Sequence, residues 1–193
     1  ALSKIGGKGL FIKALEVALQ DGRADFAVHS LKDLPTTLSP GFKIVAITER
    51  ENPLDAFVSN QFNSLDALPE GAIVGTSSLR RASQLKLAYP DVNIQPLRGN
   101  LGTRLSQLDK GQFDAIILAS AGLKRLGFSD RVSQHISEDI LLPAAGQGAL
   151  AIEVYEPNLT GSPLLDKLAS LNDTKTNYCV CAERALLAAL GGG

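Results

Sequence analysis

Ala72-Ile-Val-Gly-Thr-Ser-Ser-Leu-Arg-Arg81 is the stretch on which the fold turns. Ala72–Gly75 is a short apolar run of strand type, followed through Thr76 and Ser77 by helical spacing from Ser78 to Tyr89, closed by Pro90. A strand that runs through a hydroxyl-rich turn into a helix is the repeating unit of α/β proteins. A Ser or Thr caps the helix, which leaves first-turn amides pointing outward beside Arg80 and Arg81. An ordinary capped helix with two exposed arginines also fits these residues. Two cations in a first turn oppose the helix dipole, however, and a carboxylate or phosphate ligand would explain them better.

The same alternation extends in both directions. Toward the N-terminus, Asp55–Ser59 and Lys43–Ile47 read as strands, separated by the charged stretch Glu49-Arg-Glu-Asn-Pro53. Asp25–His29 is a further strand, and Gly9–Gln20 carries helical spacing at Leu10, Phe11, Ala14, Leu15, Ala18 and Leu19 before Gly22. Toward the C-terminus come a strand at Val92–Leu97, a helix at Leu101–Lys110, a strand at Asp114–Ala119 and a short helix at Ala121–Leu126. Leu142-Pro-Ala-Ala-Gly-Gln-Gly148 then leads into a strand at Ala149–Val154, and helices are expected at Pro163–Leu171 and Thr176–Leu190. This pattern predicts an α/β protein with mainly parallel sheets in two lobes, the chain leaving the first lobe near 49–53 and returning near 142–148. In such folds ligands bind beyond the carboxyl ends of strands, so the residues following each strand are the candidates.

Composition narrows the classes. With 193 residues and 45% hydrophobic content, the chain can bury a core of ordinary density, built mostly from Leu, Ile, Val and Ala because Trp and Met are absent. A net charge of −1 argues against a nucleic-acid partner. No secretory signal and no apolar stretch of about 18–20 residues is visible, so a membrane partner is not expected and the cytoplasm is the default location. Cys179 and Cys181 are too close for an unstrained disulfide, and His29 and His135 lie far from them, so no metal site is expected. There is no Ser–His–Asp order, no activated thiolate motif, no dinucleotide fingerprint and no GxxxxGK[ST] loop.

The strand ends collect basic residues. Lys32 and Asp33 follow the strand Asp25–His29; they form either a solvated turn or a site where a carboxylate steadies a cation or guides protons. Arg98 and Arg104 flank Gly99-Asn-Leu-Gly-Thr103, Lys124 and Arg125 follow another strand, and Lys4-Ile-Gly-Gly-Lys8-Gly opens the first helix. A crevice ringed with Lys and Arg on a nearly neutral protein predicts a small substrate rich in carboxylates or phosphates, with Asp33 the best single acid.

Gly6-Gly-Lys-Gly-Leu-Phe11, Ala27-Val-His-Ser-Leu-Lys-Asp-Leu-Pro35, Gly75-Thr-Ser-Ser-Leu-Arg-Arg81, Leu97-Arg-Gly-Asn100, Gly102-Thr-Arg104 and Leu142-Pro-Ala-Ala-Gly-Gln-Gly148 together resemble the porphobilinogen deaminase (hydroxymethylbilane synthase) family, in order and spacing, essentially from end to end. The resemblance implies a transferase of tetrapyrrole (haem and chlorophyll) biosynthesis that condenses four porphobilinogen molecules, with loss of ammonia, to hydroxymethylbilane. It implies a dipyrromethane cofactor, thioether-linked to a cysteine, that primes the growing oligopyrrole. On that pattern Asp33 is the catalytic aspartate, contacting pyrrole nitrogens and steadying the azafulvene cation. Arg80, Arg81, Arg98, Arg104 and Arg125 hold substrate or cofactor carboxylates, and Lys32, Thr76, Ser78 and Gln147 make further contacts. Lys4, Lys8 and Phe11 belong to a mobile loop over the active site.

The fold implied has two lobes resembling type II periplasmic binding proteins, 1–48 with 149–171 and 54–142, while 172–193 begins a third, α+β domain that bears the cofactor. A monomer is expected. The attachment cysteine is expected just after Gly193, past Ala182-Glu-Arg-Ala185; Cys179 and Cys181 lie on the wrong side of that motif. The family's N-terminal segment, with a first strand and further arginine and serine contacts, is expected ahead of Ala1. The chain alone is therefore expected to be inactive. The alternative is a non-catalytic binding module for a small polycarboxylate or phosphate ligand.

Overall fold

The structure, a computed structural model, describes residues 7–192, with side chains from residue 9 onward. In chain order the elements are α1 (Gly7–Gln20), β1 (Ala27–Ser30), β2 (Phe42–Ile47), β3 (Asp55–Val58), β4 (Ile73–Gly75), α2 (Leu79–Ala88), β5 (Asn93–Gln95), α3 (Leu101–Asp109), β6 (Ala115–Ala119), α4 (Ser120–Arg125), β7 (Gln134–His135), β8 (Leu150–Tyr155), α5 (Glu156–Leu159), α6 (Pro163–Ala169) and α7 (Thr174–Ala189). The chain forms two compact units, one of Ala1–Glu51 with Ala149–Gly193, the other of Asn52–Gly148.

In the first unit β8 lies between β1 and β2 and pairs antiparallel with both. Ala149 and Ala151 pack with Leu31, Leu34 and Ile47, while Ile152 and Val154 pack with Ala46, Leu159 and Leu168. This alternation buries both faces of β8. Helix α7, expected to open a further domain, is grouped with this unit: Val180 is fully buried among Leu31, Leu34 and Ile47. Its N-terminus is held by Asp173, whose carboxylate accepts from the Thr176 amide at 2.7 Å. Glu183 takes the Arg50 guanidinium in a two-pronged ion pair, with Nη2 to Oε2 at 3.0 Å.

In the second unit the strand order is β5-β4-β6-β3-β7. β4 is parallel to β5 and to β6, with α2 and α3 as the connecting helices. β3 runs antiparallel to β6 and to β7. The expectation of mainly parallel sheets is thus corrected: among the described residues the parallel pairs are those of β4. The physical reason is that apolar runs reveal strands but not their direction, and each unit places a strand that reverses the sheet's sense. Ala115 and Ile117 pack with Phe57, Val74 and Leu85, whereas Ile116 and Leu118 pack with Val58, Leu105 and Leu108. β6 is therefore apolar throughout, as a strand covered on both faces must be. Among the described residues no helix is long and apolar enough to cross a membrane.

Candidate functional site

The second unit gathers its arginines through strand direction. β4 and β5 run parallel and end at Gly75 and Gln95, leading into the first turn of α2 with Arg80 and Arg81, and into the loop with Arg98 and the start of α3 with Arg104. β3 runs the other way, pairing Asp55 with Ala119, so its first residue stands at the edge where β6 finishes. Asp55 is 0% exposed and accepts Arg80 Nη2 at 2.7 Å, Arg81 Nε at 3.0 Å and Nη2 at 2.6 Å, and Gln147 Nε2 at 3.0 Å. One fully buried carboxylate therefore joins three residues singled out from the sequence.

Their remaining bonds differ. Arg81, 7% exposed, also donates Nη1 to Ile117 O at 3.1 Å, so its guanidinium is directed inward. Arg80 donates Nη1 to Leu142 O at 2.6 Å and is only partly covered. Gln147 is 1% exposed and donates to Pro53 O at 2.6 Å as well as to Asp55. Burial lowers the Arg80 pKa, Asp55 opposes that effect, and the neighbouring Arg81 charge adds to it. Arg104 is likewise lowered, first by burial and then by the charge of Arg81, which places these two cations within electrostatic reach of each other. Arg104 is steered by its Nε bond to Gly99 O at 2.8 Å. Gly99 has φ +112°, and a Cβ there would meet Thr103 Cγ2 at 2.8 Å, so only glycine fits this loop without movement.

The helix-opening turns fold as local chemistry requires. Ser78 Oγ accepts from the Arg81 amide at 3.4 Å, while Thr76 Oγ1 accepts from the Ser78 amide at 3.2 Å and Thr76 is buried. Asn100 caps α3, its Oδ1 accepting from the Thr103 amide at 2.8 Å. Arg98 is exposed, and Arg125 is tied to Gly148 O at 2.5 Å by Nη2, so the bonds that converge on Asp55 do not include either. Asp55 itself was not singled out from the sequence. Its signal was an acid opening an otherwise apolar strand just after Pro53, and its meaning depends on a strand direction that the sequence does not display.

In the first unit Asp33 closes a 3-10 turn, Leu31–Asp33, that follows β1. The turn is set by Leu31 N–H donating to Ala149 O at 3.0 Å and Leu34 N–H to Leu31 O at 3.1 Å. Asp33 and Lys32 are half-buried. Asp33 lines a cavity of about 310 Å³ with Phe11, Ile12, Val28, His29 and Ser30. Phe11 lies within α1 and is 65% exposed. Lys4 and the side chain of Lys8 lie outside the described residues. His29 Nε2 is 2.9 Å from Glu153 Oε2, and Glu153 is fully buried with Oε1 lacking a hydrogen-bond partner. Cys179 and Cys181 are exposed on α7.

A family model described as porphobilinogen deaminase, dipyromethane cofactor binding domain, matches residues 1–160. Porphobilinogen deaminase of Neisseria meningitidis serogroup B is 60% identical over 191 residues, covering 99% of this chain and 60% of that protein. That of Chromobacterium violaceum is 58% identical, covering 99% and 61%, and that of Albidiferax ferrireducens 57%, covering 100% and 60%. The chain thus spans about three fifths of the length of these curated relatives. Among solved structures, a nutrient binding protein from Burkholderia cenocepacia bound to methionine is similar at a TM-score of 0.53 and 17% identity, over 83% of this chain and 76% of that one. A periplasmic substrate-binding protein of an ABC transporter from Coxiella burnetii gives 0.52 and 16%, over 84% and 77%. These two share the fold alone, that of type II periplasmic binding proteins.

Proposed function

The chain belongs to the porphobilinogen deaminase family and carries its dipyrromethane cofactor-binding domain; from that premise we propose that the full-length enzyme joins four porphobilinogen molecules, with loss of ammonia, to give hydroxymethylbilane. The observation that carries this is the arginine cluster organised by Asp55, with Arg104 in electrostatic reach. Each pyrrole of substrate or cofactor brings an acetate and a propionate, and guanidinium forks are the donors that match carboxylates. The donor set therefore suits dipyrromethane. Arg80, Arg98 and Arg104 hold its carboxylates, with Lys32, Thr76, Ser78 and Arg125 contributing contacts. Arg81 and Gln147, whose N–H groups point to Asp55 and to carbonyl oxygens, act mainly by fixing Arg80 and by adding positive potential.

When bound, dipyrromethane supplies the free pyrrole carbon to which the first substrate is joined. Its thioether link is to a cysteine just after Gly193 in the full-length protein, and residues 172–193 lead into the domain that holds it. Asp33 accepts pyrrole N–H and, as the amine leaves, its carboxylate balances the positive charge that develops on the ring. Phe11, Ile12 and Val28 form the apolar part of the lining of its cavity. Phe11, on the lining of that cavity, covers the reacting rings. The enzyme works as a monomer in the cytoplasm, and haem is among the end products its pathway serves.

Replacing Asp33 by Asn or Ala in the full-length enzyme tests the assignment. Ammonia release and bilane formation should fall by about 10²–10⁴-fold, the range of a positioned acid–base group. Near-normal turnover would remove Asp33 from the mechanism.

A further inference from the structure

Asp33 is held from behind by an element far away in sequence. Arg184 of α7 donates Nη1 to Leu34 O at 3.2 Å and Nη2 to Pro35 O at 2.6 Å, the two carbonyls that directly follow Asp33. One helical turn earlier on the same face, Val180 is fully buried against Leu31 and Leu34, the apolar residues on either side of Lys32-Asp33. α7 therefore grips this turn twice, once by packing and once by a charge-assisted fork. The helix itself is anchored independently. The Asp173 amide donates to Ile47 O at 2.8 Å, the Arg50 amide donates to Thr176 Oγ1 at 3.0 Å, and Glu183 binds the Arg50 guanidinium. These anchors would hold α7 in place without Arg184, so its fork is not needed to dock the helix.

The choice of partners is informative. Arg184 is half-buried, and the hydrogen bonds of its guanidinium among the described residues go to two carbonyl oxygens. Burial lowers its pKa. A partly desolvated cation on carbonyls is weaker compensation than one on a carboxylate. What the fork does achieve is geometric: it pins the carbonyls of the two residues after Asp33 to α7, and so restricts movement of the turn that carries the Asp33 side chain.

We propose that Arg184 is a positioning residue for Asp33, aiming the catalytic carboxylate from the helix that leads toward the cofactor attachment. This rests on the role given to Asp33 above. A displacement of about 1 Å at a reacting group can cost on the order of 100-fold in rate. The substrate carboxylates are held by other residues, so their binding should be insensitive to this contact.

The test uses the full-length enzyme with Arg184→Lys, Arg184→Met and Arg184→Ala, each with its melting temperature measured. In Arg184→Met kcat for porphobilinogen should fall by about 10- to 100-fold, with KM within about twofold of the parent. Arg184→Lys, which can reach one carbonyl, should fall less. Millimolar guanidinium, but not ethylammonium, should restore part of the kcat of Arg184→Ala. If the unmodified enzyme does not consume porphobilinogen, the underlying functional assignment fails. If it does, three outcomes overturn the positioning role alone: an unchanged kcat in folded Arg184→Met, a loss carried by KM, or a loss that only follows the fraction of unfolded protein. Should Arg184→Met not fold, the kcat and KM of Arg184→Lys decide in the same way.

Discussion

Replacing Asp55 by Ala removes the carboxylate on which the second unit's arginine cluster is built, and its cost can be worked from the burial of each partner. Arg80 has a side chain 23% exposed and can turn to solvent, but that of Arg81 is 8% exposed and would stay behind as an uncompensated cation. Removing one member of a buried pair in this way costs about 3–5 kcal/mol. Gln147 would also lose the acceptor for one N–H, although it keeps Pro53 O. Domain stabilities run to roughly 5–15 kcal/mol, so the variant should stand close to the limit of folding. At about 2–4 °C per kcal/mol for a chain of this size, the midpoint should drop by at least about 6 °C. The assay is urea and thermal unfolding of the 193-residue chain followed by circular dichroism, with hydrogen exchange to locate the loss in Asn52–Gly148. Adding Arg81→Met to Asp55→Ala takes away the orphaned charge and should recover half or more of the lost stability. A loss below about 1 kcal/mol for Asp55→Ala, or a double variant no more stable than the single, would refute the view that a buried charge pair organises this site.

Two further expectations concern local chemistry. Gly99→Ala combines φ +112° with a Cβ 2.8 Å from Thr103 Cγ2, and unfolding measurements should show a loss of about 1–3 kcal/mol. The Tyr89 hydroxyl is pushed up to about 12, by burial first and then by its hydrogen bond to Asp66 and that residue's charge. A raised folded-state value means that this group's contribution to stability is complete below the unfolded value of about 10 and is lost as the pH rises toward the folded one. Alkaline ultraviolet titration should find one tyrosine ionising late, and Asp66→Asn should bring it part of the way back; an unchanged titration would exclude the Asp66 contact.

Legibility followed the range of the forces involved. Helix α2 with a Ser or Thr cap, helix α3, and the apolar run of β6 were readable because capping, helical spacing and side-chain alternation act over a few residues. The two-residue strand β7 and the short helix α5 escaped notice, since neither is long enough to show a period. Basic residues after strands were also readable. Their inequality was not: Arg80 and Arg81 are adjacent in sequence, yet one is partly covered and the other almost wholly buried.

The sequence by itself determined where the longer strands and helices lie, that Arg80, Arg98 and Arg104 sit where strands end, and that Asp33 lies in a turn, because these follow from local spacing and backbone stereochemistry. Tertiary structure alone decided that β3 and β8 reverse their sheets, that Asp55 arrives beneath two arginines, and that Arg184 reaches the carbonyls beyond Asp33. Strand direction and helix docking are set by how distant apolar faces close over one another. The charges that meet as a result are neighbours in space with no signature of pairing along the chain.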